Sequence, residues 1–264
     1  MNRKNITALT ALGAFALASA TAQGQILYQA SFDNTTGNNV AVGTTNAGAP
    51  EAQHWQYGTA GGVDRSGTSI VFSGGAGDGA FGNANGFIYH STNNDNNQWR
   101  SVVYWDDRVS LDQALITELS IAIRHQNSGH HTRFVVQIGS DWFTTAQSWG
   151  MITANNANWE TKTFDFSTAN AWVPLLSSNG TDPFDGLMGA ASDGFTPLTA
   201  ATITTGVQNL PAGNITSIGF LTSGEPNVGG NARTDSLQVI PEPSTYAALI
   251  GLLALGLVAW RRRR

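Results

Sequence analysis

Guanidinium groups interleaved with aromatic and amide side chains are the residues of this sequence best suited to hold an acidic, hydroxyl-rich ligand. In the runs 99–105, 118–125 and 132–138, period-two alternation turns Trp99, Val103, Trp105, Leu119, Ile121, Ile123, Phe134, Val136 and Ile138 inward. It leaves Arg100, Tyr104, Arg124, Arg133 and Gln137 on the opposite side. Such a face can grip an acidic sugar through forked guanidinium hydrogen bonds while an aromatic ring stacks on it. Trp142 follows Gly139-Ser140-Asp141, near a turn where an exposed indole makes a platform. The same residues also describe an ordinary solvated sheet face whose arginines meet Asp106 or Asp107. Most tryptophans are core residues, and at least four of the seven between residues 23 and 240 are expected to be structural.

Other chemistry is thinner. His125, His130 and His131 cluster around one loop, with His54 and His90 elsewhere, but no H-E-x-x-H occurs and they read as polar loop residues. Gly74-Gly75-Ala76-Gly77-Asp78-Gly79 occurs once and reads as a turn. A nucleophile elbow, a phosphate-binding loop, a dinucleotide fingerprint and zincin motifs are all missing from the sequence. Seventeen acids lie between residues 23 and 240, and their spacing singles out no pair for glycoside hydrolysis. With no cysteine, disulfides, thiolate metal sites and cysteine nucleophiles are excluded. Residues 23–240 carry seven Lys and Arg against those seventeen acids, about −10 net, which argues against a nucleic-acid partner.

The elements that must position these residues are strands. Ten β-like runs alternate with Gly, Asn, Asp and Ser turns: 26–32, 68–73, 86–90, 99–105, 118–125, 132–138, 141–145, 159–166, 215–221 and 236–240. With no amphipathic helix between them they predict an antiparallel sandwich or barrel in one domain, 23–240, with a long loop across 177–213. Asp112 to Ile116 reads as one helical turn. The runs 118–125 and 132–138 are separated by a six-residue polar loop, and their pairing as a hairpin is expected.

The two ends are not part of that body. Residues 1–22 have a basic start, an apolar stretch from Ile6 to Ala18 and Ala20-Thr21-Ala22, the pattern of a cleaved signal peptide. Tyr246 to Trp260 is an apolar run followed by Arg261 to Arg264, which predicts a transmembrane helix with its arginines cytoplasmic and 23–240 across the membrane. Pro241-Glu242-Pro243, the apolar segment and the arginine cluster resemble the PEP-CTERM sorting signal of Gram-negative bacteria. That resemblance implies export across the inner membrane, a transient anchor, processing by exosortase, and an association with exopolysaccharide and biofilm; the cell surface or the medium is then the destination. The prolines are expected to keep Pro241 to Ser244 extended, accessible and unable to pair as a strand.

The order of runs, from Leu27–Asp33 to Arg233–Val239, also resembles the jelly-roll sandwiches of carbohydrate-binding modules. This similarity implies adjacent termini and a structural calcium held by Asp33 and Asp235, with carbonyls completing the shell; no other cofactor is expected. The expected fold is therefore an all-β, jelly-roll-like antiparallel sandwich between a signal peptide and one C-terminal transmembrane helix. The expected function is a non-catalytic surface or matrix module associated with extracellular polysaccharide. A secreted glycan-active hydrolase or lyase on the same fold, and a purely structural envelope protein, are the alternatives.

Overall fold

Branched and aromatic side chains fill a pleated surface, while small polar residues take the turns, so the alternating runs fold as short strands. The computed structural model describes residues 26–33, 40–41, 45, 47, 52–60, 70–73, 86–92, 100–125, 129–150, 158–175, 206–224, 230–241 and 261. The expected signal peptide, the glycine stretch 74–79, Trp99, Glu242 to Ser244 and the apolar run 246–260 lie outside them. Among the described residues no helix is long and apolar enough to cross a membrane.

The strands are β1 (Tyr28–Ala30), β2 (Val40–Ala41), β3 (Trp55–Ala60), β4 (Ile70–Ser73), β5 (Phe87–Thr92), β6 (Arg100–Asp106), β7 (Leu111–Asp112), β8 (Ile116–Ile123), β9 (His130–Ile138), β10 (Asp141–Thr145), β11 (Glu160–Asp165), β12 (Trp172–Leu175), β13 (Asn214–Gly224) and β14 (Gly230–Pro241). Each of the ten expected runs overlaps one of them. A 3-10 turn, Gln113–Leu115, stands where one helical turn was expected; Asp112 caps it by accepting the Ala114 N–H at 2.9 Å.

Antiparallel pairing gathers the strands into two sheets. The first has the order β11-β8-β14-β5-β4-β2, with β1 also on β14; the second has the order β12-β10-β9-β13-β6-β3, with β7 on β13. Their inner faces share one core, in which Leu119, Ile121, Ile123 and Leu237 of the first sheet meet Tyr104, Phe134, Val136 and Phe220 of the second. Tyr104 stacks on Phe220 at 5.0 Å, and Trp55 packs edge-on against Phe32 at 4.8 Å. Asp106 of the second sheet, buried, accepts the Tyr28 hydroxyl of the first at 3.1 Å and two Arg108 N–H groups at 3.0 and 2.8 Å. That pairing raises the Arg108 pKa.

The expected hairpin is absent. β8 pairs with β11 and β14, while β9 pairs with β10 and β13, so the chain between Ile123 and His130 crosses from one sheet to the other. Leu119 and Phe134 therefore belong to facing sheets. Alternation predicts the same inward residues for a hairpin and for a crossing, which is why the sequence pattern does not separate them.

A second correction concerns the proline expected to stay unpaired. Pro241 is the last rung of β14, opposite Ile116 and just past a register shift. A proline has no N–H to give a ladder, but its carbonyl still accepts, and a strand end beside an irregularity tolerates it. The Thr117 hydroxyl bridges the Ile240 and Pro241 carbonyls at 3.2 and 3.0 Å. β1 runs antiparallel to β14 with Tyr28 opposite Val239, so Ile26 and Pro241 leave the sandwich at the same end. The β8–β9 crossing is at the other end.

Candidate functional site

On the first sheet, residues that alternate away from the core form a row of cations and rings near the end remote from Pro241. Arg124 continues β8 and donates its N–H to the Arg233 carbonyl at 3.0 Å. Its guanidinium carbon lies 5.7 Å from the ring centre of Trp159, just before β11. Trp159 meets Phe87 of β5 edge-on at 5.7 Å and 62°, and the Arg233 guanidinium lies 5.4 Å over Phe87. The four side chains form a ladder, Arg124–Trp159–Phe87–Arg233. Phe87 is buried beneath it, whereas the other three are half-buried. Cation–ring separations under about 6 Å are attractive, and a guanidinium steadied by a ring carries its fork of donors partly ordered in advance.

The expected arginine row is divided between two faces. Arg124 belongs to the ladder, but Arg133, Gln137 and Trp142 lie on the outward face of the second sheet, because β8 and β9 are in different sheets. Gln137 and Trp142 sit opposite each other in the β9–β10 ladder. This face is closed. Val103, Val135 and Leu221 are fully buried in a second apolar cluster with Trp142, and Trp142 packs edge-on against Trp105 at 5.6 Å. Arg133 is 0% exposed, and its Nη1 donates to the Thr145 and Ala146 carbonyls at 2.7 and 2.6 Å. Burial pushes its pKa down to about 10, so it stays charged at neutral pH. Gln137 accepts the Ser217 hydroxyl at 2.7 Å.

Exposure expected of Tyr104, Arg133 and Trp142 is thus corrected: all three are buried, Tyr104 in the main core. The inward–outward reading of β6 is valid only if one of its faces is wet, and both are covered. Arg100 opens β6 opposite Gly224. Tryptophan fares as composition suggests, since Trp55, Trp142 and Trp172 are buried and Trp149 packs against Phe134 and Phe164. Arg233 and Trp159 were missed; the signal was the outward parity of Arg233 in the last strand, usable only once β14 is known to lie beside β8.

Among the described residues, the clustered histidines and the aspartates expected at a metal site have other neighbours. His125 and His130 are fully buried with rings 5.9 Å apart, and His125 Nε2 is 2.9 Å from the Thr132 hydroxyl oxygen. Burial first, then the nearby His130, His131 and Lys162, hold the His125 pKa well below the ordinary value. The β1–β14 pairing does bring the segments of Asp33 and Asp235 together, as adjacent termini require. Asp235 accepts the Ser236 N–H at 2.7 Å and Asp33 the Ser31 hydroxyl at 2.9 Å. Calcium takes six to eight oxygens, and among the described residues no group of three or more acidic, histidine or cysteine side chains is placed to hold a metal.

A cleft of about 520 Å³ opens at the edge of the sandwich, lined by Gln147, Thr163, Asp165, Asn170 and Val207 among others. Its one carboxylate, Asp165, accepts the Ser167 hydroxyl and N–H at 2.6 and 2.9 Å, which lowers its pKa. A general acid needs the opposite shift, and glycoside hydrolysis a second carboxyl group.

Residues 239–264 match the PEP-CTERM protein-sorting motif. The chain therefore carries the signal for export, C-terminal membrane anchoring before processing, and processing by exosortase. No curated protein matches the sequence. Among solved structures the chain is similar to a family 11 carbohydrate-binding module of a cellulosomal cellulase of Clostridium thermocellum, at 14% identity and TM-score 0.42 over 82% of this chain and 96% of that one. It is also similar to a cleaved adhesin domain of the Lys-gingipain of Porphyromonas gingivalis, at 13% identity and TM-score 0.37 over 80% and 96%. A third similarity is to the glycoside hydrolase domain of Endo-D from Streptococcus pneumoniae, at 12% identity and TM-score 0.41 over 81% of this chain and 27% of that one.

Proposed function

We propose that this protein is a non-catalytic surface module, exported, anchored and released through the PEP-CTERM system, whose jelly-roll-like body binds an acidic extracellular polysaccharide on the outward face of its first sheet. The observation that carries this reading is the Arg124–Trp159–Phe87–Arg233 ladder. It puts two half-buried guanidinium groups and a half-buried indole on one strip of surface. Carboxylates of a polyuronate match the guanidinium fork, and a sugar ring matches the indole. The body as a whole is acidic, so a polyanion is attracted only at such a strip and repelled elsewhere, which confines binding to one register.

The ladder also lies where a tethered protein needs it. Between the rung at Ile116 and Arg124, β8 climbs about 26 Å at 3.3 Å per residue, which carries the ladder away from the end that bears the sorting signal. Affinity electrophoresis of the purified protein tests the reading: migration is retarded in gels containing a polyuronate such as alginate and unaffected by a neutral glucan such as dextran. Equal migration in both gels overturns it.

A further inference from the structure

The sorting motif has no linker. Pro241 is the final rung of β14, held by the Thr117 hydroxyl, and Glu242 and Pro243 are the next two residues of the chain. Two residues span at most about 7 Å. An enzyme that grips Pro241 to Pro243 must therefore bring its own surface against the end of the sandwich, because even a weak protein contact covers several hundred Å² on each side. That end carries the large hydrophobic residues classed as exposed among the described ones. Ile26 is 41% exposed and Leu115 52%. Ile26 precedes Leu27, whose N–H donates to the Val239 carbonyl at 3.0 Å. Leu115 is the last residue of the 3-10 turn before Ile116, the partner of Pro241.

The turn that presents Leu115 is fixed rather than loose. The Gln113 amide donates to the carbonyls of Pro211, at 2.9 Å, and of Gly213, and Asp112 caps the turn from the other side. Leu115 stands outside both apolar clusters, half exposed beside the sorting motif.

We propose that the pole formed by Ile26, the Gln113–Leu115 turn and Pro241 is a docking surface for the membrane-embedded sorting enzyme, which reads the folded body together with the motif. This rests on the PEP-CTERM reading of the C-terminus. Docking makes the body a second point of contact, so that motif capture becomes effectively intramolecular. It also makes processing selective for folded substrate, because Leu115 and Pro241 adjoin only once β8 and β14 have paired.

The test is processing of the full chain in cells that express an exosortase, followed by the mobility shift on immunoblots. Leu115→Glu is expected to slow processing about fivefold, the loss of one apolar anchor of an interface, with the melting temperature of the body unchanged. Inserting six Gly and Ser residues between Ile240 and Pro241 keeps the motif and its apolar segment intact and is expected to slow processing as well. Either variant processed at the wild-type rate or faster overturns the docking surface. Glu242→Ala separates the two levels: if the wild-type chain is not processed, or Glu242→Ala is processed like wild type, the sorting reading itself fails and the docking surface with it.

Discussion

Arg124 and Arg133 are nine positions apart, flank the same loop and have opposite fates. Arg133 is sealed on the outward face of the second sheet, donating to two backbone carbonyls; Arg124 stands half-buried over an indole on the outward face of the first. The face around Arg133 is a second core, with Val103, Val135 and Leu221 at 0–1% exposure. The face around Arg124 is a surface with a pattern. A cation that replaces water with carbonyl partners is structural, since removing it strands those partners; Arg124 instead lies half-buried against the Trp159 ring. Chain position did not decide between these outcomes. The crossing between β8 and β9 did, by sending the two arginines to different sheets.

The contrast can be broken most severely from the closed side. A Cβ built on Gly219 would lie 1.8 Å from the Tyr104 carbonyl oxygen and 2.8 Å from the Trp105 Cα, so Gly219→Ala must prise β13 from β6. The expected loss is at least about 4 kcal/mol, read from urea unfolding or from failure to accumulate folded protein. Arg133→Ala follows. It leaves a void and two buried carbonyls with one donor fewer, and is expected to cost about 3 kcal/mol with an unchanged m-value.

Acid probes the crossing itself. His125 is buried neutral, its folded pKa lowered below the ordinary 6.5. As pH falls below about 6.5 the unfolded chain takes up this proton and the folded chain does not, so the stabilisation present above that pH is lost on acidification. The slope is at most about 1.4 kcal/mol per pH unit for one proton. His125→Gln should flatten that acid limb, as followed by thermal melts between pH 7 and 5. The smallest effect comes from the open side: Arg124→Ala is expected to cost about 1–2 kcal/mol, the size of a half-buried cation–ring contact. If Arg124→Ala instead costs as much as Arg133→Ala, the two faces are not different in kind.

Much of this fold was legible in the sequence because short runs rich in branched and aromatic residues, bounded by turn residues, mark strands whether one face or both are buried. The runs at 118–125, 132–138, 141–145 and 215–221 all became strands, and the polar turn at 112–116 became a capped 3-10 turn. Three kinds of element were hidden. β2 and β7 are two residues long, too short for a period. β12 contains Pro174, which demotes a run unless it lies at an edge, and β12 is the edge of its sheet. β3 opens on Trp55 but ends in small residues, Gly58-Thr59-Ala60. Pairing was the deeper gap. Inward-facing residues are the same for a hairpin and for a crossing, so the sequence does not show that Arg100, Tyr104, Arg133, Gln137 and Trp142 lie on one sheet and Arg124 on the other, nor that the β8–β14 and β8–β11 ladders bring Arg233 and Trp159 to Arg124.

Under the proposed function the ladder on the first sheet binds an acidic polysaccharide and the arginine on the second does not. Isothermal titration of alginate oligosaccharides into wild-type protein and into the Arg124→Ala, Arg233→Ala double variant tests it most directly. Binding is expected to weaken with added salt and to fall at least about tenfold in the double variant, two charge-assisted contacts being removed, while the melting temperature stays within a few degrees. Equal affinity in the folded double variant would contradict it.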